Sequence, residues 1–126
     1  MPFQISGATL WTGWIFSGQE NVLQLGSDYG VITGLLAERC DHVAVVDERD
    51  ENLVVNQKMN DAYTDVSYIK AADFRKMETT EKEGKYDLVV LRSDRSEMDI
   101  KTIFTQAAFY LSEKGRLIFA CENALV

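Results

Sequence analysis

The chain has 126 residues, of which 46% are hydrophobic and 10% aromatic, enough to build one domain with an ordinary core. Twenty acidic against thirteen basic residues give a formal charge of −7, which disfavours a nucleic-acid partner. The mean hydropathy is −0.16, and neither a membrane span nor a secretory signal is recognisable, so we expect no membrane contact and a cytoplasmic location. Cys40 and Cys121 stand far apart and there is one histidine, so no metal site is predicted.

Apolar runs alternate with helical patterns along the chain. Nearly continuous apolar runs are typical of strands that helices cover on both faces, and the alternation predicts the α/β class with a mainly parallel sheet. We expect a single domain over residues 1–126 with about five strands. The predicted strands are Val22–Leu25, Val43–Asp47, Val66–Ile69, Tyr86–Leu91 and Arg116–Cys121.

Helical patterns fill the intervals between the strands. In the first helix, Gly34 is expected to permit a close approach to the sheet, and a second helix begins at Asp50 or Glu51. The strongest apolar stripe follows Asp99, which is a good N-cap, and Gly115 is expected to end that helix in a left-handed conformation. Between the third and fourth strands the helical signal is weak.

Aromatic side chains are concentrated ahead of the first strand, from Ala8 to Phe16. They could form a stacking platform for a ligand. Aromatic residues in this position more often cover a sheet edge or fill core, and we favour that interpretation.

The first two strands flank a glycine-bearing turn, which is the sequence form of a nucleotide-binding βαβ unit. Gly26 allows a sharp turn off the strand, and Gly30 allows the helix to start close to the sheet. Asp47 ends the neighbouring strand, where its carboxylate could accept both ribose hydroxyls of a nucleoside. This geometry suits an adenosine cofactor. The turn reads Val22-Leu23-Gln24-Leu25-Gly26-Ser27-Asp28-Tyr29-Gly30.

Structural interpretations of the same residues stay open. The two glycines could serve packing in any doubly wound domain, Asp47 could cap the second helix, and Asp73 could be a solvated turn residue. Asp87, at the start of the fourth strand, more often caps or pairs than acts chemically. An NAD-binding domain fits less well, because the dinucleotide fingerprint spaces its first glycines differently and Asp28 would lie against the pyrophosphate.

The order of motifs resembles class I S-adenosylmethionine-dependent methyltransferases, from about Asn21 to Asn123. The resemblance implies a doubly wound, Rossmann-like sandwich with strand order 3-2-1-4-5. Its last motif, followed by Glu122-Asn123, is similar to methyltransferase-like domains fused to bacterial glycosyltransferases. The matching motifs are residues 22–30, Val45-Val46-Asp47, Ala72-Asp73-Phe74, Lys85–Leu91 and Leu111–Phe119.

The resemblance also implies S-adenosylmethionine as cofactor and assigns roles to individual residues. Methyl transfer is an in-line displacement at the sulfonium methyl and depends largely on positioning. No catalytic residue is identified, because the loop after the fourth strand has no recognisable acceptor chemistry. The methionine part of the cofactor would lie on the backbone of Gly26, Ser27, Asp28 and Gly30. The ribose would bind Asp47, assisted by Glu48, and the adenine would lie at Asp73 and Phe74. Arg92 and Ser93 would face the point where the methyl group is transferred.

The sequence departs from the family pattern in the cofactor loop. Gln24 stands where the family has an acid that favours the cofactor's amino group, which removes a charge-assisted contribution of about 1 kcal/mol. Asp28 stands at the middle glycine position and adds volume and negative charge. We therefore expect cofactor binding to be weakened or lost.

Two further departures concern the acceptor and the sheet. The loop at residues 92–98 contains no recognisable acceptor motif. The family's C-terminal hairpin has no counterpart after the fifth strand, so we expect a truncated domain of a longer protein or a reduced fold. An exposed fifth strand would be an open edge, and we expect a second copy or a neighbouring domain to pair with it.

Two functions therefore remain. The first is an S-adenosylmethionine-binding methyltransferase-like domain, with transfer to an unknown acceptor only in a larger protein. The alternative is a non-catalytic relative that serves as an interaction or dimerisation module. Gly30 and Asp47 favour the first function, whereas Gln24 and Asp28 favour the second.

Overall fold

A computed structural model describes residues 3–5, 16–27, 30–93 and 100–121. Within these residues, no helix combines the length and apolar composition that a membrane crossing needs. A short 3₁₀ helix, Thr79–Glu81, lies between the third helix and the fifth strand. The strands and helices in chain order are β1 (Phe3–Ile5), β2 (Asn21–Leu25), α1 (Val31–Arg39), β3 (His42–Asp47), α2 (Asp50–Met59), β4 (Val66–Lys70), α3 (Ala71–Lys76), β5 (Tyr86–Ser93), α4 (Ile100–Tyr110) and β6 (Leu111–Cys121).

The strands form one parallel sheet in the order β1-β6-β5-β2-β3-β4. The five predicted strands and their order 3-2-1-4-5 are confirmed as β4-β3-β2-β5-β6. One face packs against α1 and α2 through Leu36 and Leu53, and the other packs against α3 and α4 through Phe74 and Ala107. The sheet is therefore doubly wound, as expected of a Rossmann-like sandwich.

Side chains of the central strands alternate between the two faces. Val22 and Val43 belong to the core beneath α1 and α2, whereas Leu23 and Ala44 belong to the core beneath α3 and α4. All four are buried. Burial on both faces explains why these strands appear in the sequence as nearly continuous apolar runs.

The outer edge of β6 differs from the sequence-based expectation. Phe3 pairs with Leu117 and Ile5 with Phe119, so β1 extends the sheet by a sixth strand. The prediction that the fifth predicted strand has an open edge was wrong over this stretch. A strand of three residues is too short to give a periodic signal. Along Leu117–Phe119, β6 offers no free edge to a second copy or a neighbouring domain.

Other local expectations need correction. A Cβ on Gly34 would lie 2.8 Å from Oδ1 of Asn60, so this glycine permits contact with the end of α2 and not with the sheet. Gly115 is not among the described glycines with positive φ, so it does not adopt the predicted left-handed conformation. A Cβ there would lie 2.7 Å from Cδ2 of Leu111, so close packing explains the glycine.

Some boundaries also differ from the predicted ones. β6 begins at Leu111, five residues before the predicted start at Arg116, and its register to β5 shifts between Tyr86 and Leu88. The weak helical signal after β4 corresponds to a regular helix, α3. Phe16 packs against the core, as predicted, whereas the aromatic residues before it and the predicted N-cap Asp99 lie outside the described residues.

Candidate functional site

The carboxyl ends of β2 and β3 meet at the predicted glycine turn. The backbone N–H of Gly26 donates to the carbonyl of Val46 (2.8 Å), and the N–H of Gly30 donates to the carbonyl of Ser27 (3.2 Å). Gly26 and Gly30 have φ values of 107° and 90°, in a region that residues with a Cβ rarely adopt. The turn therefore depends on glycine at both positions.

Asp47 ties this turn to the following helix. Its Oδ2 accepts the backbone N–H of Ser27 (2.8 Å), and its Oδ1 accepts the N–H of Arg49 (2.9 Å) and Nδ2 of Asn52 (3.2 Å). A carboxylate offers about four acceptor positions. Three are in use here, so about one remains for a ligand. Asp47 is half-buried and thus combines the predicted position at the strand end with a structural role before α2.

A buried polar network lies beneath the turn. Nε2 of Gln24 donates to the carbonyl of Gly26 (2.9 Å), and Oγ1 of Thr33 donates to Oε1 of Gln24 (2.6 Å). Both side chains are completely buried. Gln24 therefore holds the turn from below and connects it to α1.

The helix α2 completes this network. Nδ2 of Asn56 donates to Oγ of Ser27 (2.9 Å) and to Oγ1 of Thr33 (2.8 Å). Nδ2 of Asn60 donates to the carbonyl of Gly30 (2.9 Å) and to Oδ1 of Asn56 (2.8 Å). A Cβ on Gly30 would lie 2.7 Å from Nδ2 of Asn60, so the close approach predicted for Gly30 is to α2 and not to the sheet.

The remaining predicted site residues lie apart from this network. Glu48 is exposed and pairs with Nη1 of Arg75 on α3 (2.9 Å). Asp73 is exposed in the first turn of α3. Phe74 is buried in the core, where its ring lies 5.5 Å from that of Tyr110, so it offers no stacking surface for an adenine. Asp28 and the side chains of Arg92 and Ser93 lie outside the described part of the chain.

Sequence reasoning missed the three asparagines of the site. Asn52, Asn56 and Asn60 recur every four residues and so share one face of α2 and its end. Asn56 and Asn60 are buried, although asparagine usually lies at the surface. Their spacing beside the buried Leu53 is the signal that could have identified them.

Carboxylates also occur at the opposite, amino end of the sheet. Glu20 accepts the N–H groups of Ser17 (2.8 Å) and Gly18 (3.1 Å), and lies 3.4 Å from Arg116. Burial raises the pKa of Glu20, but the hydrogen bonds from the backbone of Ser17 and Gly18 outweigh it, so the net pKa is lowered. Burial, together with the charge of Glu20, raises the pKa of the Cys40 thiol to about 12, which disfavours the thiolate form.

Asp87 is the second carboxylate at the amino end. Its Oδ2 accepts the N–H of Asn21 (3.0 Å) and its Oδ1 accepts the hydroxyl of Ser112 (3.0 Å). These contacts join the start of β2 to β5 and β6. Asp87 therefore has a structural role at the start of β5.

The fold is similar to that of S-adenosylmethionine-dependent methyltransferases of known structure. Solved structures that are similar to this chain include phosphoethanolamine N-methyltransferase 1 of Haemonchus contortus with phosphoethanolamine and S-adenosylhomocysteine, with a TM-score of 0.68 and 21% identity over 88% of this chain and 24% of that one. A putative methyltransferase of Bacillus halodurans is similar with a TM-score of 0.72 and 17% identity, over 89% of this chain and 48% of that one. The N-methyltransferase NodS of Bradyrhizobium japonicum with S-adenosylhomocysteine is similar with a TM-score of 0.65 and 23% identity, over 82% of this chain and 53% of that one.

These similarities concern the fold. No family profile and no curated protein matches the sequence. The chain spans 24% to 53% of the three structures named above, so it corresponds to only part of each.

Proposed function

We propose that the domain binds S-adenosylmethionine at the carboxyl ends of β2 and β3, and that it takes part in methyl transfer in the cytoplasm as one portion of a longer protein. The observation that carries the proposal is the position of Asp47, whose Oδ2 lies 2.8 Å from the N–H of Ser27 across two adjacent strand ends. In doubly wound sheets ligands bind outside the carboxyl ends of the strands. Two of the similar structures contain S-adenosylhomocysteine, which supports this cofactor class.

The residues of the site have separate tasks in this proposal. Asp47 accepts a ribose hydroxyl at its remaining acceptor position, and a second hydroxyl requires Asn52 to leave Oδ1. The buried network beneath the glycine turn holds Gly26, Ser27 and Gly30 in place. When bound, the cofactor supplies a methyl group on a sulfonium, which an acceptor attacks in line.

The acceptor site is the part of the function that we assign to the longer protein. The rest of that longer protein could be a bacterial glycosyltransferase, because the last motif, residues 111–119, is similar to methyltransferase-like domains fused to such enzymes.

Calorimetric titration with S-adenosylmethionine and S-adenosylhomocysteine tests the proposal. We expect micromolar to millimolar binding to the wild type and at least about tenfold weaker binding to Asp47→Asn, since the charge-assisted hydrogen bonds to the ribose are lost. Asp41→Asn is the matched control, because Asp41 is an exposed acid just before the start of β3, at the other end of the sheet. Equal affinity in Asp47→Asn and the wild type would contradict the site.

A second candidate function, a non-catalytic interaction module, is favoured by the three hydrogen bonds that Asp47 already accepts within the protein. Absence of binding at millimolar concentrations of both ligands, with the fold intact, would support this alternative. Saturating ligand at about a hundred times its dissociation constant would instead stabilise the fold by about 2.7 kcal/mol in thermal unfolding.

A further inference from the structure

The outward face of α2 is unusual for a helix on the surface of a protein. Three of the five large hydrophobic side chains that the described residues expose lie on this helix: Val54 (49% exposed), Val55 (47%) and Met59 (58%). The outward face of an amphipathic helix is normally polar. Valine is also a weaker helix former than most residues, because its branched side chain loses freedom in a helix. The two valines are therefore explained neither by burial nor by helix propensity.

One acid and one base lie symmetrically about the valines. Glu51 precedes Val54 by three residues, and Lys58 follows Val55 by three residues. Glu51 and Lys58 lie two helical turns, about 10 Å, apart along the helix. Both are exposed, and both lie on the side opposite Leu53 and Asn56, which α2 buries. The outward stripe thus runs from acid through two apolar residues to base.

This stripe is complementary to itself. We propose that a second copy of this chain packs against it, with the two α2 helices antiparallel about a two-fold axis that passes between Val54 and Val55. Each Glu51 then lies opposite Lys58 of the partner subunit, and the valines of the two copies fill the centre. Symmetric dimers use the same patch on both subunits.

A second copy fits better than an unrelated partner. A foreign surface would require apolar contacts at the valines but no internal symmetry of charge about them. The route to a dimer that the sequence predicted, through the edge of β6, is occupied by β1 along Leu117–Phe119. The shared surface is small, so we expect a dissociation constant in the micromolar range. The proposal does not depend on whether the domain binds a cofactor.

Sedimentation equilibrium from about 1 µM to about 1 mM tests for the dimer. We expect the wild type to dimerise and Val55→Glu to remain monomeric throughout. Glutamate is a better helix former than valine, so this variant should keep or raise its thermal stability, which excludes a failure to fold. Glu83→Gln, at an exposed turn, is the control and should dimerise like the wild type.

Charge reversal tests the arrangement of the two helices. Glu51→Lys and Lys58→Glu each set like charges against each other and should raise the dissociation constant by about tenfold or more. The double reversal should restore it to within about threefold of the wild type. A monomer at every concentration, a dimer that survives Val55→Glu, or a double reversal as weak as either single variant would each overturn the proposal.

Discussion

The two ends of the sheet use carboxylates in the same way but leave different chemistry accessible. At the amino end, Glu20 is 8% exposed and holds two backbone N–H groups beside Arg116. At the carboxyl end, Asp47 also holds two backbone N–H groups, but it is half-buried and has about one acceptor position left. The same chemical group therefore stabilises a loop at one end, and at the other it keeps an acceptor position that the proposed ligand requires.

Position in the fold accounts for this difference. The carboxyl ends of parallel strands form the crevice where ligands bind in doubly wound sheets. Beneath that crevice lie buried amides and hydroxyls, whereas at the amino end the carboxylates of Glu20 and Asp87 hold the backbone N–H groups. Hydrogen bonds that a carboxylate accepts from backbone N–H groups are thus insufficient to identify a site. We therefore base the proposed site on the acceptor position that remains on Asp47 and on its location at the carboxyl end of the sheet.

The largest effect is expected from removing the buried amide beneath the turn. Asn56→Ala removes a completely buried amide that donates to Ser27 and Thr33 and accepts from Asn60, so we expect a loss of about 2–4 kcal/mol in the free energy of unfolding. Urea denaturation measures it. Gln57→Ala, one residue along and exposed, is the control and should change stability by less than about 0.5 kcal/mol. Similar values for the two variants would show that the network does not stabilise the carboxyl end.

A smaller effect is expected at the amino end. Glu20→Gln should lower stability by about 1–3 kcal/mol at neutral pH, because it removes charge-assisted hydrogen bonds to Ser17 and Gly18. The pKa of Glu20 is lowered in the folded protein. This contribution is therefore present above the unfolded pKa and is lost as the pH falls through the folded pKa. The difference between the wild type and the variant should shrink accordingly in unfolding experiments at decreasing pH.

The control for this pH dependence is Glu83→Gln, a change of the same charge at an exposed position. The free energy of unfolding of this control should differ little from that of the wild type at every pH. A difference between Glu20→Gln and the wild type that stays constant from neutral to acidic pH would mean that the carboxylate form of Glu20 is not what stabilises the amino end.

The sequence predicts the strands of the central sheet well because each is a nearly continuous apolar run. β1 escapes prediction because three residues carry no period. The proximity of Ser27 and Asp47 is also predictable, since parallel strands in this order end side by side. The burial of Phe74 in the core is not predictable, because a helix of six residues with a weak apolar stripe does not reveal which side faces the core.

Glycines and asparagines show the same limit. Gly30 and Gly34 indicate that something approaches α1 closely, but the sequence cannot say that it is Asn60 rather than the sheet. Asn56 appears among polar residues that a surface helix would tolerate. Only the packed structure reveals that it faces inward and meets polar groups of the turn.

The smallest effect concerns Asn52, and it separates the two roles of Asp47. In the absence of ligand, Nδ2 of Asn52 occupies an acceptor position on Oδ1 that a second ribose hydroxyl would need. Asn52→Ala frees that position, so S-adenosylhomocysteine should bind up to about tenfold more tightly, the equivalent of one neutral hydrogen bond. Calorimetry measures the change. Weaker binding to Asn52→Ala would instead make Asn52 a ligand contact, and the carboxyl end would then recognise ribose through an amide as well as a carboxylate.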